Sequence, residues 1–270
     1  MSHFTVSRAA SCLLAIGLAS APLVAKPADR AHGPQVRDEV TIVVAGAREV
    51  WRLEWKSPPK PACSADDAEW YTCPCQGFSF GEAGDLDLVR LRDGEEVERL
   101  ALTPLFDEQF SDAGPAAIVH RVEPTDGDHT DPEDPGLVDR VAARPADPIL
   151  LLADYDRDGQ ATEFPLQIEA APCGKRIMVV VGVSRVEPEL HVFHSAAHPE
   201  QPLAMQLDAW QALRDDELPT KVVDWYCDDH GSPTETELEL SAHAGVISAY
   251  EREYECDNGE RGRLIGGDER

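Results

Sequence analysis

Asp154, Asp156 and Asp158 stand at alternate positions of one short segment, and Gly159 follows them directly. Carboxylates at every second residue of a tight turn point to one side, so their oxygens can converge on one cation. Calcium suits such a cage, because it takes six to eight oxygen ligands at about 2.3–2.6 Å in flexible geometry. Gly159 permits the sharp turn that faces the next carbonyl, that of Gln160, toward the ion. Thr162 or Glu163 then closes the shell, directly or through water. The expected site is one Ca2+ held by Asp154, Asp156, Asp158, Gln160, Thr162 and Glu163, with a structural role. Without a cation, carboxylates this close repel each other.

The run Asp154-Tyr155-Asp156-Arg157-Asp158-Gly159 resembles the calcium loops of the EF-hand and dockerin type. It is also similar to the DxDxDG loops of FG-GAP (VCBS, integrin-type) repeats. The resemblance covers only the Asp154–Glu163 segment and implies a loop rather than a whole fold. Pro165 stands where an EF-hand has a bidentate glutamate, and the flanks ILLLA and FPLQI read as strands where an EF-hand has helices. The FG-GAP comparison fits those strands better, although Thr162 takes the ninth position and the acid, Glu163, follows it. Such repeats come in series and a single loop is found here, so a propeller is not expected.

Other constellations carry less chemistry. His191, His194 and His198 would align for zinc on a helix. Pro188 and Pro199 bracket them, however, and Val192-Phe193 favours a strand, which turns His191 and His194 to opposite sides. Asp228, Asp229 and His230 put a histidine beside two acids. They support an alternative reading, an exported metal-dependent hydrolase in which His191 or His194 lends a ligand. The sequence contains no H-E-x-x-H, G-x-S-x-G, phosphate loop or G-x-G-x-x-G. The residues favour a binding or interaction module, with a protein or glycan ligand that they do not name, over an enzyme.

The remaining sequence must supply the scaffold. A formal charge of −27, from 51 acidic and 24 basic residues, excludes nucleic acid and anionic membrane surfaces as partners. An apolar fraction of 42% is enough for a packed core. Arg8 precedes an apolar run, CLLAIGLASAPLVA, that ends in small residues. This is the layout of a signal peptide, residues 1–25, and the run is too short to span a bilayer. The mature protein is expected to be secreted or periplasmic, without membrane contact after cleavage.

Export predicts disulfides among Cys63, Cys73, Cys75, Cys173, Cys227 and Cys256. An acidic, proline-rich stretch at 123–148 separates them three and three, so complete pairing needs a bridge across it. The expected pairs are Cys63–Cys73, Cys75–Cys173 and Cys227–Cys256. Zinc on Cys63, Cys73 and Cys75 is disfavoured by their C-x9-C-x-C spacing. Five carboxylates within the acidic stretch (Asp126, Asp128, Asp131, Glu133 and Asp134) could attract a second cation, but Pro132 and Pro135 restrict their convergence.

Alternating apolar residues predict strands in 40–55 around Ala45-Gly46 and in 86–105 around Asp93-Gly94; further apolar runs predict strands at 149–153, 164–168, 190–193 and 221–225, a buried strand at 176–183 (RIMVVVGV), and a hairpin at 235–254 turning at His243-Ala244-Gly245. Leu203, Leu207, Trp210 and Leu213 fall at helical spacing. The fold class expected is mostly β: an antiparallel sandwich or open barrel-like sheet with one amphipathic helix at about 203–216 and disulfides. The expected organisation is a loose segment at 26–39, a single disulfide-tied domain at 40–256 that carries the acidic loop, and a frayed tail at 257–270.

Overall fold

A computed structural model describes residues 34–63, 77–78, 80–106, 116–123, 136–171 and 175–270. They belong to one unit, His32–Arg270. The signal segment, the five carboxylates of the acidic stretch, Cys73, Cys75 and Cys173 lie outside the described residues.

In chain order the strands are β1 (Gln35–Val44), β2 (Ala47–Trp55), β3 (Lys60–Ala62), β4 (Gly81–Gly84), β5 (Leu86–Arg92), β6 (Glu95–Ala101) and β7 (Ala117–His120), followed by helix α1 (Leu137–Ala142). Then come β8 (Glu163–Ala171), β9 (Lys175–Gly182), β10 (His191–Val192), β11 (Met205–Gln206) and helix α2 (Leu207–Asp215). Strands β12 (Thr220–Trp225), β13 (Thr234–His243), β14 (Val246–Asp257) and β15 (Glu260–Glu269) complete the chain.

The protein is mostly β, as its alternating pattern predicts, and its sheets pair antiparallel without closing a barrel. One sheet has the order β1-β2-β5-β6 and another the order β12-β13-β14-β15. Between them, β9 pairs with β8 along one edge and with β10 and β11 along the other. A small sheet, β3-β4-β7, stands beside these.

Four hairpins reverse on two-residue turns in which both residues have positive φ: Ala45-Gly46, Asp93-Gly94, Ala244-Gly245 and Asn258-Gly259. This backbone twist matches that of the flanking strands, and glycine takes the second position without steric cost. The fourth turn corrects the expectation of a frayed tail. Asn258-Gly259 folds residues 260–269 back onto β14 as β15. The loose segment at 26–39 is likewise a strand from Gln35 onward, since β1 pairs with β2 from Gln35↔Trp55.

Two cores share one strand. On β9, Val179 and Val181 face Trp51, Leu53, Leu86, Leu88, Phe164 and Leu166, which form a sandwich with the first sheet. Met178 and Val180 face the other way, onto Trp210 and Leu213 of α2 and Leu238, Leu240, Ile247 and Ala249 of the last sheet. The continuous apolar run of β9 reflects burial on both faces. The amphipathic helix starts at Leu207 rather than near 203, because Met205 and Gln206 are already paired with β9. Trp210 Nε1 donates to the Met178 carbonyl at 3.0 Å and fixes the helix to that strand.

Residues 149–153 are not a strand. The amides of Ile149 and Leu150 donate instead to Asp38 Oδ2, at 2.6 and 2.8 Å, and only Ala153 pairs, with Glu163. The expected disulfide Cys227–Cys256 is present, with Cα atoms 5.7 Å apart. Cys63 is also disulfide-bonded. The pairings expected for Cys63 and for Cys75 lie outside the described residues. Among the described residues, no helix is long and apolar enough to cross a membrane.

An ion network closes one end of the sandwich. Glu49 is buried, and its Oε2 accepts from Arg90 Nε at 2.9 Å and Trp51 Nε1 at 3.0 Å. Its Oε1 accepts from Arg90 Nη2 at 3.0 Å and Arg92 Nη2 at 2.7 Å. Although burial opposes it, these donors hold the Glu49 carboxyl below the usual carboxylate range. Glu49→Ala leaves the buried Arg90 with Glu98 as its remaining carboxylate partner and takes the acceptor from Trp51 Nε1, and is expected to cost about 1–3 kcal/mol in urea unfolding. Glu39→Ala, which breaks an exposed pair with Arg52, is expected to change little.

Candidate metal centre

The segment from Asp154 to Glu163 is the connection that leads into β8. A backbone bridge closes it at its base, with the Ala153 amide 2.8 Å from the Glu163 carbonyl and the reverse bond at 3.2 Å. Tyr155 inserts into the second core and meets the Trp210 ring edge-on at 6.0 Å. Arg157 Nε and Nη2 donate to the carbonyls of Leu213 and Asp216, at 3.0 and 2.8 Å, capping the C-terminal end of α2. The Gly245 amide, in the β13–β14 turn, donates to the Asp156 carbonyl at 3.0 Å. The loop is thus tied to the central sheet, the helix and the last sheet.

Within it, oxygens of Asp154, Asp156 and Glu163 lie within 4.8 Å of one another. Asp156 and Glu163 are fully buried and Asp154 is partly exposed. Asp154 accepts the amides of Asp158 and Gly159 at 3.1 and 3.0 Å, and Asp156 Oδ1 also accepts from the Asp158 amide, at 3.0 Å. Among the described residues, Asp156 Oδ2 is buried without a hydrogen bond of regular geometry. The observed triad differs from the expected ligand set at Asp158. That carboxylate accepts the amides of Gln160 and Arg185, at 2.7 and 2.6 Å, and so staples the loop to the turn after β9.

Glu163 Oε2 accepts the Tyr155 amide at 2.7 Å, while Oε1 lies 2.6 Å from Thr162 Oγ1. The same hydroxyl is 2.7 Å from the Val183 carbonyl. One hydroxyl proton cannot serve both oxygens. With no cation in the site, a proton on Glu163 resolves the conflict: the acid donates to Thr162, and Thr162 donates to Val183. Electrostatics agree. Burial pushes Glu163 up to about 8, aided by the Asp156 charge and opposed by the Thr162 and Tyr155 donors. Burial likewise pushes Asp156 up to about 6, with the neighbouring Asp158 and Asp154 charges adding to it. The Ser184 hydroxyl opposes that rise without forming a regular hydrogen bond to Oδ2.

Gly182 is a positioning residue that the sequence reading passed over, although a glycine inside the run VVVGV is a signal of close backbone approach. It pairs with Glu163 across β8 and β9. A Cβ there would collide with the Thr162 carbonyl oxygen and lie 2.8 Å from Glu163 Cα.

The other clusters fare differently. Asp228, Asp229 and His230 occupy a turn beside the Cys227–Cys256 bridge, with Asp228 and His230 at positive φ. Asp229 Oδ2 is 2.5 Å from Lys175 Nζ, which lies over the Trp225 ring. These residues form no three-ligand group with each other or with His191 and His194 among the described residues. His198 turns away, its Nε2 3.0 Å from the Glu269 carbonyl. The expectation that His191 and His194 face opposite sides is corrected. His194 lies beyond β10, where strand alternation no longer applies, and both rings turn toward Glu187. A separate cavity of about 260 Å³ lies between β8, β9 and α2. Its cations are already engaged, Arg176 by Glu123 and Arg214 by Asp215.

Comparison with protein-family models, curated proteins and solved structures finds no match for this chain.

Two outcomes follow from this geometry. The native pKa of Glu163 lies above its ordinary value, so the native state holds that proton more tightly than the unfolded chain does. The resulting stability is whole below about 4.5 and is lost as pH rises through about 8. In chelator, the melting temperature is therefore expected to fall more steeply between pH 5 and 8 for the wild type than for Glu163→Gln. Gly182→Ala is expected to cost about 1–3 kcal/mol in unfolding experiments by pushing β8 away.

Proposed function

We propose that the protein is a calcium-binding, disulfide-stabilised β protein, exported from the cytoplasm and acting as a binding or interaction module. In this reading one Ca2+ ties the Asp154–Glu163 loop to the three elements it touches. Asp154, Asp156 and Glu163 supply carboxylate oxygens, and main-chain carbonyls and water complete a shell of the size calcium takes. The observation that carries the proposal is Asp156 Oδ2. It is a buried carboxylate oxygen with no hydrogen bond of regular geometry, among two further carboxylates and, among the described residues, with no cationic side chain forming an ion pair with any of them. A buried charge left so is costly, and a hard divalent cation removes that cost. Export is supported by the signal-like first 25 residues and is compatible with the disulfide.

Calorimetric titration of the oxidised protein with calcium is expected to show one saturable ion per chain. At a hundredfold excess over its dissociation constant, calcium should stabilise the fold by about 2.7 kcal/mol. Asp156→Asn should abolish the binding while leaving a chelator-treated protein no less stable than the wild type. Weak heat from many sites, unchanged by that substitution, would overturn the reading.

A further inference from the structure

We propose that Glu187, His191 and His194 form a second metal site, suited to a divalent ion of the Zn2+ class. It uses different residues and a different ligand chemistry from the acidic loop.

The argument begins with where the ring protons are. His191 Nδ1 lies 2.9 Å from the Glu189 carbonyl, and His194 Nδ1 lies 3.1 Å from the Ser195 carbonyl. A carbonyl oxygen only accepts, so each Nδ1 must carry the hydrogen. In a neutral ring the lone pair then sits on Nε2. Both Nε2 atoms lie near the same acceptor, each 3.7 Å from Glu187 Oε2. Two ring nitrogens therefore flank one carboxylate oxygen, and a cation drawn between them can satisfy all three. Donation of the far ring hydrogen to a backbone carbonyl is also how metal-bound histidines are held in orientation.

The backbone positions these groups independently of any ion. His191 is in β10 and pairs with Gly182 of β9. Its ring lies against Phe193, with centroids 4.4 Å apart, and its side chain is only 12% exposed. Glu187 ends a tight turn in which Ser184 Oγ accepts the amides of Val186 and Glu187, at 3.1 and 3.2 Å, while the Ser184 amide donates to the Glu187 carbonyl at 2.9 Å. The two partners with room to rotate are the more exposed ones, Glu187 at 46% and His194 at 33%. The ring nitrogens are still more than 4.8 Å apart. Rotation of the His194 and Glu187 side chains closes that gap, and their exposure gives an ion a path in.

The donor set selects the ion. Two imidazoles and one carboxylate match Zn2+, with bonds of about 2.0–2.2 Å, whereas calcium takes oxygen donors. Three protein ligands leave the fourth tetrahedral position to water or to a donor from another molecule.

The test is a Zn2+ titration of tag-free protein in saturating calcium, read by competition with a chromophoric chelator. One Zn2+ per chain is expected. His194→Ala and His191→Ala should each weaken it at least tenfold, and Glu187→Gln should weaken it as well. Asp156→Asn should retain it, which separates this proposal from the fate of the acidic loop. Co2+ in place of zinc should give the intense visible bands of a four- or five-coordinate ion. No stoichiometric zinc, zinc binding that survives His194→Ala, or the weak spectrum of an octahedral cobalt ion would overturn the proposal. Circular dichroism of each variant, matched to the wild type, excludes unfolding as the cause of a loss.

Discussion

From Met178 onward strand β9 is buried on both faces, and most of the molecule is arranged around that fact. Its side chains alternate between two cores, Val179 and Val181 in one, Met178 and Val180 in the other. A strand buried on both sides needs a layer on each. The sheet of β1, β2, β5 and β6 provides one, and α2 with the β12–β15 sheet provides the other. Because β8 pairs with this strand over its whole length, Glu163 at the start of β8 inherits a rigid position. The acidic loop therefore ends on the paired central strands, and the Ala153–Glu163 bridge ties its start to the same place.

Two buried glutamates show how differently the protein treats the same group. Glu49 meets two arginines and a tryptophan donor, and its pKa is lowered although burial opposes this. Glu163 is as deeply buried and meets amides and a hydroxyl but no cationic side chain among its hydrogen-bond partners, so its pKa is raised. The chain contains its own counter-charge in the first case. In the second it concentrates further carboxylates nearby, which makes sense only if the compensating charge comes from solution as a proton or an ion. That contrast is the physical basis for the calcium reading.

Much of this was legible in the sequence where a local rule decided the outcome. The X-Gly turns at 46, 94 and 245 were readable from glycine's tolerance of positive φ, and so was the doubly buried run of β9 from its lack of alternation. Asn258-Gly259 obeys the same turn rule, yet the polar residues around it suggested a frayed end. Pairing with β14 outweighs their polarity. Elsewhere a distant partner decided. Residues 149–153 have a strand's composition, but Asp38, far away in sequence, takes two of their amides. For the loop, the spacing of Asp154 and Asp156 was a good guide to convergence. Asp158 was not, because its alternative partner, the Arg185 amide, belongs to a turn that no local pattern places there. The facing of His191 and His194 was missed for a related reason: the strand that would have separated them ends at Val192.

The arrangement of the last sheet bears on the order in which the chain acquires its structure. Strands β12 to β15 are neighbours in space in the same order as in sequence, and two of their connections are two-residue turns. Such contacts close little chain and form on the microsecond scale of isolated hairpins. The sandwich is of another kind, since β2 must find β5 across an intervening pair of strands and β9 must wait for layers on both sides. This C-terminal meander is thus built from contacts close in sequence. The Cys227–Cys256 bridge closes 29 residues within that same local unit, so the covalent link and the strand pairing constrain one stretch of chain.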